Sequence, residues 1–231
     1  MFDVERIALV GSTGLIGRKV LETSIGREDM RITAVARREY PLPKGARMEM
    51  FVADADKWGE VFEAVKPMAL ICALGTTMRK VDGDEEQFYA VDHDLVLQTA
   101  EAAQAAGVKR FVTITSVGAN PISKNFYLKT KGEVEKSLMK MKFERLDIVR
   151  PGLLLGMRQG DLRPAEQVGQ IVAPLANLFM HGGSRKYRAI RSQRVAEACL
   201  ALAMRKARGR FRHEHDAIMR VAKSLPVPEA D

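Results

Sequence analysis

Cysteine is almost absent from this 231-residue sequence: only Cys72 and Cys199 occur, both in apolar surroundings. A disulfide framework or a cysteine-rich zinc site is thereby excluded, and a reducing cytoplasm is the expected setting. Long hydrophobic runs are missing too. The longest uncharged stretches, such as 68–78, fall far short of the ~18 residues a membrane span needs, and the N-terminus lacks a basic segment followed by an apolar core and cleavage site. Neither membrane insertion nor export is expected. Histidine is scarce, and His93, His181, His213 and His215 have no partners at ligand spacing, so no metal site is expected. The His213-x-His215 pair reads as a solvated loop.

What remains is an ordinary globular balance, 46% hydrophobic and 29% charged, with a net charge of +8. The charge is uneven. Residues 181–223 hold twelve Arg or Lys against Glu197, Glu214 and Asp216, which leaves the rest of the chain about neutral. Such a segment can attract nucleic acid, phosphate or an anionic substrate, but a solvated surface is its commoner meaning. Nucleic acid and membrane are not expected partners; a small-molecule substrate is. A protein partner stays open, as does the choice between monomer and homodimer.

Short apolar runs alternate with helical patterns, which is how a parallel sheet covered by helices on both faces is written into a sequence. The class is α/β, a three-layer Rossmann fold with a doubly wound, mostly parallel sheet. Strands are expected at 6–10, 32–36, 48–52, 68–72, 111–115 and 146–149, and helices at 15–24, 58–64, 85–106 and 127–141. In the third helix Phe88, Val91, Leu95 and Ala102 recur at helical spacing and Gly107 supplies the stop. Past Arg150-Pro151-Gly152 the alternation fails. Helices are expected near 165–180 and 192–205, capping the carboxyl edge of the sheet, and 225–231 reads as a loose tail.

Directly after the first strand comes Gly11-Ser12-Thr13-Gly14-Leu15-Ile16-Gly17, opening a helix. In that context the first glycine permits a tight turn, the second a close approach to a pyrophosphate, and the third close packing of helix on strand. The residue that reads the adenosine ribose is expected about 20 positions on, and counting from Gly17 lands on Arg37. A guanidinium suits the 2′-phosphate of NADP better than the 2′-hydroxyl of NAD, so Arg37 and Arg38 favour NADP(H) over NAD(H). The alternative is that both arginines face solvent and Glu39 reads NAD. Asp54 is a candidate adenine contact or a plain turn residue.

Tyr127 and Lys131 stand four residues apart in a helical segment, hence on one face. A neighbouring ammonium stabilises a phenolate and brings a tyrosine closer to proton exchange at neutral pH. The same spacing is also common in amphipathic surface pairs. Ser116, at the end of the fifth strand, lies where ligands bind in open α/β sheets and can hold a carbonyl oxygen. Leu74-Gly75-Thr76, after the fourth strand, would let a nicotinamide ribose lie against the backbone. Cys72 and Trp58 read as packing residues.

Together Gly11-x-x-Gly14-x-x-Gly17, Ser116 and Tyr127-x-x-x-Lys131 resemble the short-chain dehydrogenase/reductase superfamily in its atypical branch. More narrowly, Cys72-Ala-Leu-Gly-Thr-Thr77, Val91-Asp-His-Asp-Leu-Val96, Tyr127-Leu-Lys-Thr-Lys-Gly-Glu-Val-Glu135 and Arg150-Pro-Gly-Leu-Leu154 are similar to the Tat-interacting-protein (CC3) oxidoreductase family and its bacterial relatives. That likeness continues through Arg158-Gln159 and Arg163-Pro164. The resemblance implies that Gly11, Gly14 and Gly17, with Ser12, Thr13, Leu15 and Ile16 between them, hold the NADP(H) pyrophosphate. It implies Arg37 and Arg38 for the 2′-phosphate, and Ala73, Leu74, Gly75, Thr76, Pro151 and Gly152 for the nicotinamide side. Tyr127 would be the proton donor, Ser116 would polarise the carbonyl, and Lys131 would bond the ribose and tune the tyrosine. Two departures stand out: the turn is not the main branch's Gly-x-x-x-Gly-x-Gly, and no Asn-Ala-Gly follows the fourth strand.

The sequence thus points to one domain over 1–231, with a dinucleotide-binding core at 1–152 and a substrate-side region at 153–231. The function expected is NADP(H)-dependent hydride transfer to or from a carbonyl or hydroxyl, with Tyr127 as acid/base. Arg150, Arg158 and the basic segment would favour an anionic substrate. The alternative from another class is an NADP(H)-sensing regulatory protein without significant turnover, using the basic segment as its partner surface. Nucleotide-sugar epimerisation fits less well, since only 79 residues follow Gly152.

Overall fold

The computed structural model describes residues 4–156 and 180–226. Arg158, Gln159, Arg163, Pro164 and nearly all of the helix expected at 165–180 lie outside the described residues, as does most of the expected tail.

The six expected strands are present as β1 (Glu5–Val10), β2 (Met30–Ala36), β3 (Glu49–Val52), β4 (Ala69–Cys72), β5 (Arg110–Ile114) and β6 (Arg145–Val149). Two short strands, β7 (Leu154–Leu155) and β8 (Ile190–Arg191), pair with each other, and β9 (Gly209–His213) adds a seventh strand to the main sheet. The order is β3-β2-β1-β4-β5-β6-β9, every neighbour parallel. From β1 the chain winds outward through β2 to β3, then returns beside β1 as β4 and winds the other way. The crevice between the ends of β1 and β4 is therefore the topological switch point, where open α/β sheets bind ligands.

Alternate residues of the strands feed two cores. Ile7, Leu9, Ile32 and Ile71 pack against α1 (Leu15–Thr23), α6 (Ser192–Ala203) and α7 (His215–Lys223). Ala8, Val10, Leu70, Phe111 and Ile148 pack against α2 (Trp58–Val65), α4 (Leu95–Ala105) and α5 (Phe126–Leu138). Both faces are covered, as the unbroken apolar strands require.

Three expectations need correction. The helix at 192–205 does not cap the carboxyl edge: Val195, Ala198, Cys199 and Leu202 are fully buried, and this apolar face, small at Ala198 and Cys199, lets α6 lie beside α1 on the sheet. The helix expected over 85–106 is interrupted. It runs as α3 (Glu85–Tyr89), a π turn (Ala90–Asp94) and α4, and such single wide turns concentrate at functional positions. Finally, the His213-x-His215 segment is not a solvated loop: His213 ends β9 and is buried, and His215 opens α7.

β9 escaped the periodicity reading because its outer residues are Arg210 and Arg212. It is held by a buried ionic cluster instead of apolar alternation. Asp147, fully buried on β6, accepts from Arg145 Nε at 2.6 Å and Nη2 at 2.9 Å, and its Oδ1 lies 2.7 Å from His213 Nε2. Arg145 also donates to the Ala207 carbonyl at 2.6 Å and lies 4.5 Å over the Phe211 ring. Removing the carboxylate would leave a buried guanidinium uncompensated. Asp147→Ala should therefore lower unfolding free energy by about 3–5 kcal/mol, read from urea denaturation followed by circular dichroism.

Candidate cofactor cleft and active site

The cleft begins where β1 ends. Gly11 has φ of +79°, and a Cβ on it would stand 2.4 Å from the Ala73 carbonyl carbon and oxygen. At Gly17 a Cβ would stand 2.2 Å from the Gly11 carbonyl oxygen. The first and third glycines are thus required by backbone contact, between β1 and the loop after β4 and between α1 and its own entry turn. Gly14 heads α1, donating to the Gly11 carbonyl at 3.0 Å and accepting from Arg18 N–H at 2.9 Å. Helix α1 has no acidic residue in its first turn, so no side chain there neutralises the positive end of its dipole. Behind the turn the hydroxyls of Ser12 and Tyr40 are both buried without a well-formed hydrogen bond. Burial raises the Tyr40 phenol above its ordinary range, against the opposing effects of neighbouring Ser12 and Arg18.

A cavity of about 370 Å³ opens beside this turn, between Gly11, Ser12, Thr13, Leu74, Trp58 and the end of β2 at Arg37 and Arg38. Both arginines are exposed, and neither enters an ion pair among the described residues. Trp58 was expected to serve packing. It is buried and donates from Nε1 to the Ala53 carbonyl at 3.0 Å, yet it also walls the cavity. Asp54 heads the short turn at Ala55–Lys57, exposed and outside the cavity lining.

The other half of the cleft is built from the loops after β4, β5 and β6. Asp92, in the π turn, accepts from Thr76 N–H at 2.6 Å and pairs with Lys131 Nζ at 2.6 Å, the latter an ion pair more than an aligned hydrogen bond. A Cβ on Gly75 would stand 3.3 Å from Asp92 Oδ1 and 3.9 Å from Lys131 Nζ. Asp92 was missed as a site residue. Its signal was an acid four residues after Phe88, on the face of the helix expected to be apolar.

Helix α5 starts at Phe126 because Asn125 Oδ1 caps it, accepting from Leu128 N–H at 3.0 Å. Tyr127 follows, half-buried, its ring centroid 5.7 Å from that of Phe88. The four-residue spacing sets Tyr127 and Lys131 on one helix face, but the ammonium is taken by Asp92, and the phenol has no hydrogen bond among the described residues. Ser116, half-buried at the end of β5, donates weakly to the Val117 carbonyl at 3.3 Å. The loop that follows Ser116 lies against α5 because Gly132 has no side chain: a Cβ there would stand 2.2 Å from the Asn120 carbonyl carbon. Gly132 was also missed, although glycine inside a helix, costing about 1 kcal/mol relative to alanine, is itself a flag.

Pro151 accepts from Val117 N–H at 3.0 Å, and a Cβ on Gly152 would stand 2.6 Å from the Arg188 carbonyl oxygen. Arg150 is not free for an anionic ligand. Its Nε donates to buried Glu135 at 2.8 Å, which also takes Thr115 Oγ1 at 2.7 Å and Arg212 Nε at 3.0 Å. Cys72 is fully buried, and burial above all pushes its thiol up to about 12. Cys199 is buried likewise, its thiol also pushed up to about 12 by desolvation and by nearby Asp147. Both thiols should resist iodoacetamide in the folded protein at pH 8 and react only as it unfolds, read by intact-mass spectrometry.

A glycine turn at the switch point, a helix N-terminus over it and a cavity reaching the end of β2 define a dinucleotide-binding fold of the Rossmann type. A family described as NAD(P)H-binding matches residues 11–206, and the chain belongs to it. Among curated proteins it is 37% identical to Protein fmp52, mitochondrial, of Emericella nidulans over 72% of this chain and 74% of that protein. It is 31% identical to Protein fmp52-1, mitochondrial, of Aspergillus terreus over 88% of this chain and 89% of that one. Among solved structures it is similar to the Bordetella bronchiseptica enzyme WbmG in complex with NAD, with 17% identity, TM-score 0.67, and 99% of this chain and 82% of that one covered. A second is the UDP-glucose 4-epimerase of Thermotoga maritima, with 16% identity, TM-score 0.65, and coverage of 94% and 81%. The fold and the nicotinamide-dinucleotide family are as expected. The cytoplasmic setting is not: these curated relatives are named mitochondrial, and two buried cysteines speak only to redox conditions.

Proposed function

We propose that this protein is an NADP(H)-dependent oxidoreductase of the atypical short-chain type, acting on a carbonyl or hydroxyl of a small molecule with Tyr127 as acid/base. The observation that carries the reading is the cavity joining the glycine turn to two arginines at the end of β2 that have no ion pair among the described residues. The residues suit the dinucleotide on two counts. Helix α1 offers an uncompensated positive terminus, and Ser12 has a buried hydroxyl without a good partner. Arg37 and Arg38 supply planar forks for a 2′-phosphate, while the exposed Glu39 beside them would serve a ribose hydroxyl if the cofactor were NAD. The narrower likeness to the Tat-interacting-protein family agrees with this choice.

NADP(H), when bound, supplies or accepts the hydride. The chain's own part is positioning and proton movement. Ser116 Oγ, held among the described residues by a 3.3 Å contact alone, can turn its proton toward a substrate oxygen. Tyr127 Oη gives that oxygen its proton in reduction and takes it back in oxidation. Ala73 to Thr76, with Pro151 and Gly152, form the backbone floor on the nicotinamide side, while β9, α6 and α7 belong to the sheet and its covering layer.

Two measurements test this. Replacing Arg37 and Arg38 together by alanine should weaken NADPH binding by about 2–4 kcal/mol in a fluorescence titration and leave NADH binding unchanged, each charged hydrogen bond being worth about 1.5–3 kcal/mol. Equal losses for both cofactors would sink the NADP assignment. Tyr127→Phe should lower kcat by ~10²–10⁴ with NADPH affinity nearly untouched. Full turnover in that variant would remove Tyr127 from the chemistry, and NADPH binding without turnover across carbonyls and quinones would favour a sensing role.

A further inference from the structure

The ladder between β1 and β2 ends at Val10 and Val35. Beyond it the two chains part, one into the glycine turn and the other through the exposed Arg37, Arg38 and Glu39. Among the described residues no backbone hydrogen bond ties residues 37–42 to the rest of the fold. Two arginines that are to meet a ligand at a fixed place thus sit on a segment that the sheet no longer holds. Tyr40 is the first residue after them to turn inward, and with Leu42 it packs against the core that α1 covers. Its hydroxyl is buried beside that of Ser12, itself 1% exposed in the glycine turn, and neither has a well-formed bond among the described residues. A buried hydroxyl without a bond gives up its hydration for no return, which is why such groups are rare in folded proteins. Arg18, also near the phenol, is engaged with Glu22 at 3.3 Å. Each hydroxyl is therefore the other's available partner. A phenol proton turned onto Ser12 Oγ satisfies the donor of one and the acceptor of the other, and a small rotation of either side chain completes that bond.

We propose that Tyr40 is a positioning residue that sets cofactor specificity: its phenol latches onto Ser12 of the glycine turn and so holds the Arg37–Arg38 segment at the mouth of the cavity, where the two guanidiniums meet a 2′-phosphate. Ser12, Arg37 and Arg38 line the same cavity, so the latch fixes the diphosphate turn and the arginine segment relative to each other. Without it the arginines remain, but a fork that must first be ordered spends part of its binding energy on that ordering. Only the group they contact registers the loss. A cofactor that lacks the 2′-phosphate makes no use of them. The specificity role rests on the NADP(H) reading above; the latch itself does not.

The test uses the full chain as wild type, Tyr40→Phe, Ser12→Ala and the double variant. Tyr40→Phe keeps the ring and its packing and removes only the hydroxyl. In fluorescence titrations it should weaken NADPH binding about three- to ten-fold, the worth of one hydrogen bond, and change NADH binding by less than about two-fold. Equal losses for both cofactors, as a residue serving only the fold would give, or no loss for NADPH, overturn the specificity role. In the Ser12→Ala background the same replacement should change NADPH binding by less than about two-fold, because its partner is already gone. A further full loss there would mean that Tyr40 acts through another group, and it overturns the latch. A second readout needs no cofactor. Brief trypsin treatment of the ligand-free protein should cut after Arg37 and Arg38 about three- to ten-fold faster in Tyr40→Phe, since local opening sets the rate, with cleavage after the exposed Lys206 unchanged. Ser12→Ala, which releases the latch from the side of the turn, should give the same acceleration. Wild-type cleavage rates in either single variant overturn the latch. A wild type that binds NADH as tightly as NADPH sinks the NADP(H) choice and the specificity role with it, while the cleavage rates still decide whether Tyr40 holds the segment.

Discussion

At the carboxyl edge of the sheet the backbone of Gly11 runs so close to that of Ala73 and Leu74 that a methyl group on it would overlap both. The rest of the cleft follows from this contact. It brings the loop after β4 against the turn after β1 at the switch point, and the same turn receives α1 because Gly17 leaves room for the Gly11 carbonyl. Once Ala73 and Leu74 are placed, Gly75 and Thr76 are placed, and with them the point at which Asp92 and Lys131 meet. The nucleotide end and the α5 end of the cleft are thus coupled through four consecutive residues.

Close approach by glycine recurs at the substrate end. Gly132 lets the loop after Ser116 settle on α5, and Gly152 lets the chain after β6 pass under the carbonyls of Tyr187 and Arg188. Strand ends and helix faces are held here by missing side chains more than by large apolar ones. Most of the large residues act elsewhere, in the core behind α2, α4 and α5, where Phe62, Phe111, Leu138 and Leu146 fill the interior and keep those backbones from moving apart.

Charge is arranged with similar economy. Part of the basic C-terminal excess is answered within the fold: Arg212 by Glu135, Arg185 by Asp216, Arg194 by Glu197 and Arg208 by Glu144. The segment that reads as a uniform basic surface contains an edge strand and a helix whose charges bind them to β6 and α5. Arg37 and Arg38, by contrast, have no such answer among the described residues, and they stand at the mouth of the cavity.

Local pattern alone determined a good deal. The apolar runs of β1 to β6, the glycine turn leading into α1, the Asn-capped start of α5 and the spacing of Tyr127 and Lys131 are all short-range signals, because strand burial, turn chemistry and helix face each depend on a few neighbours. Nothing local announced β9, whose pairing with β6 rests on Asp147 and His213, 66 residues apart. The same holds for the placement of α6, whose helix is legible in the sequence while its position beside α1 on the sheet is not, and for Glu135 drawing in Arg150. Tertiary structure also decided that the Lys131 ammonium goes to Asp92 and not to the tyrosine one turn before it. A buried ion takes whichever counter-charge the assembled chain brings nearest, and that neighbour, 39 positions away in sequence, becomes adjacent only once β4, α4 and α5 have packed.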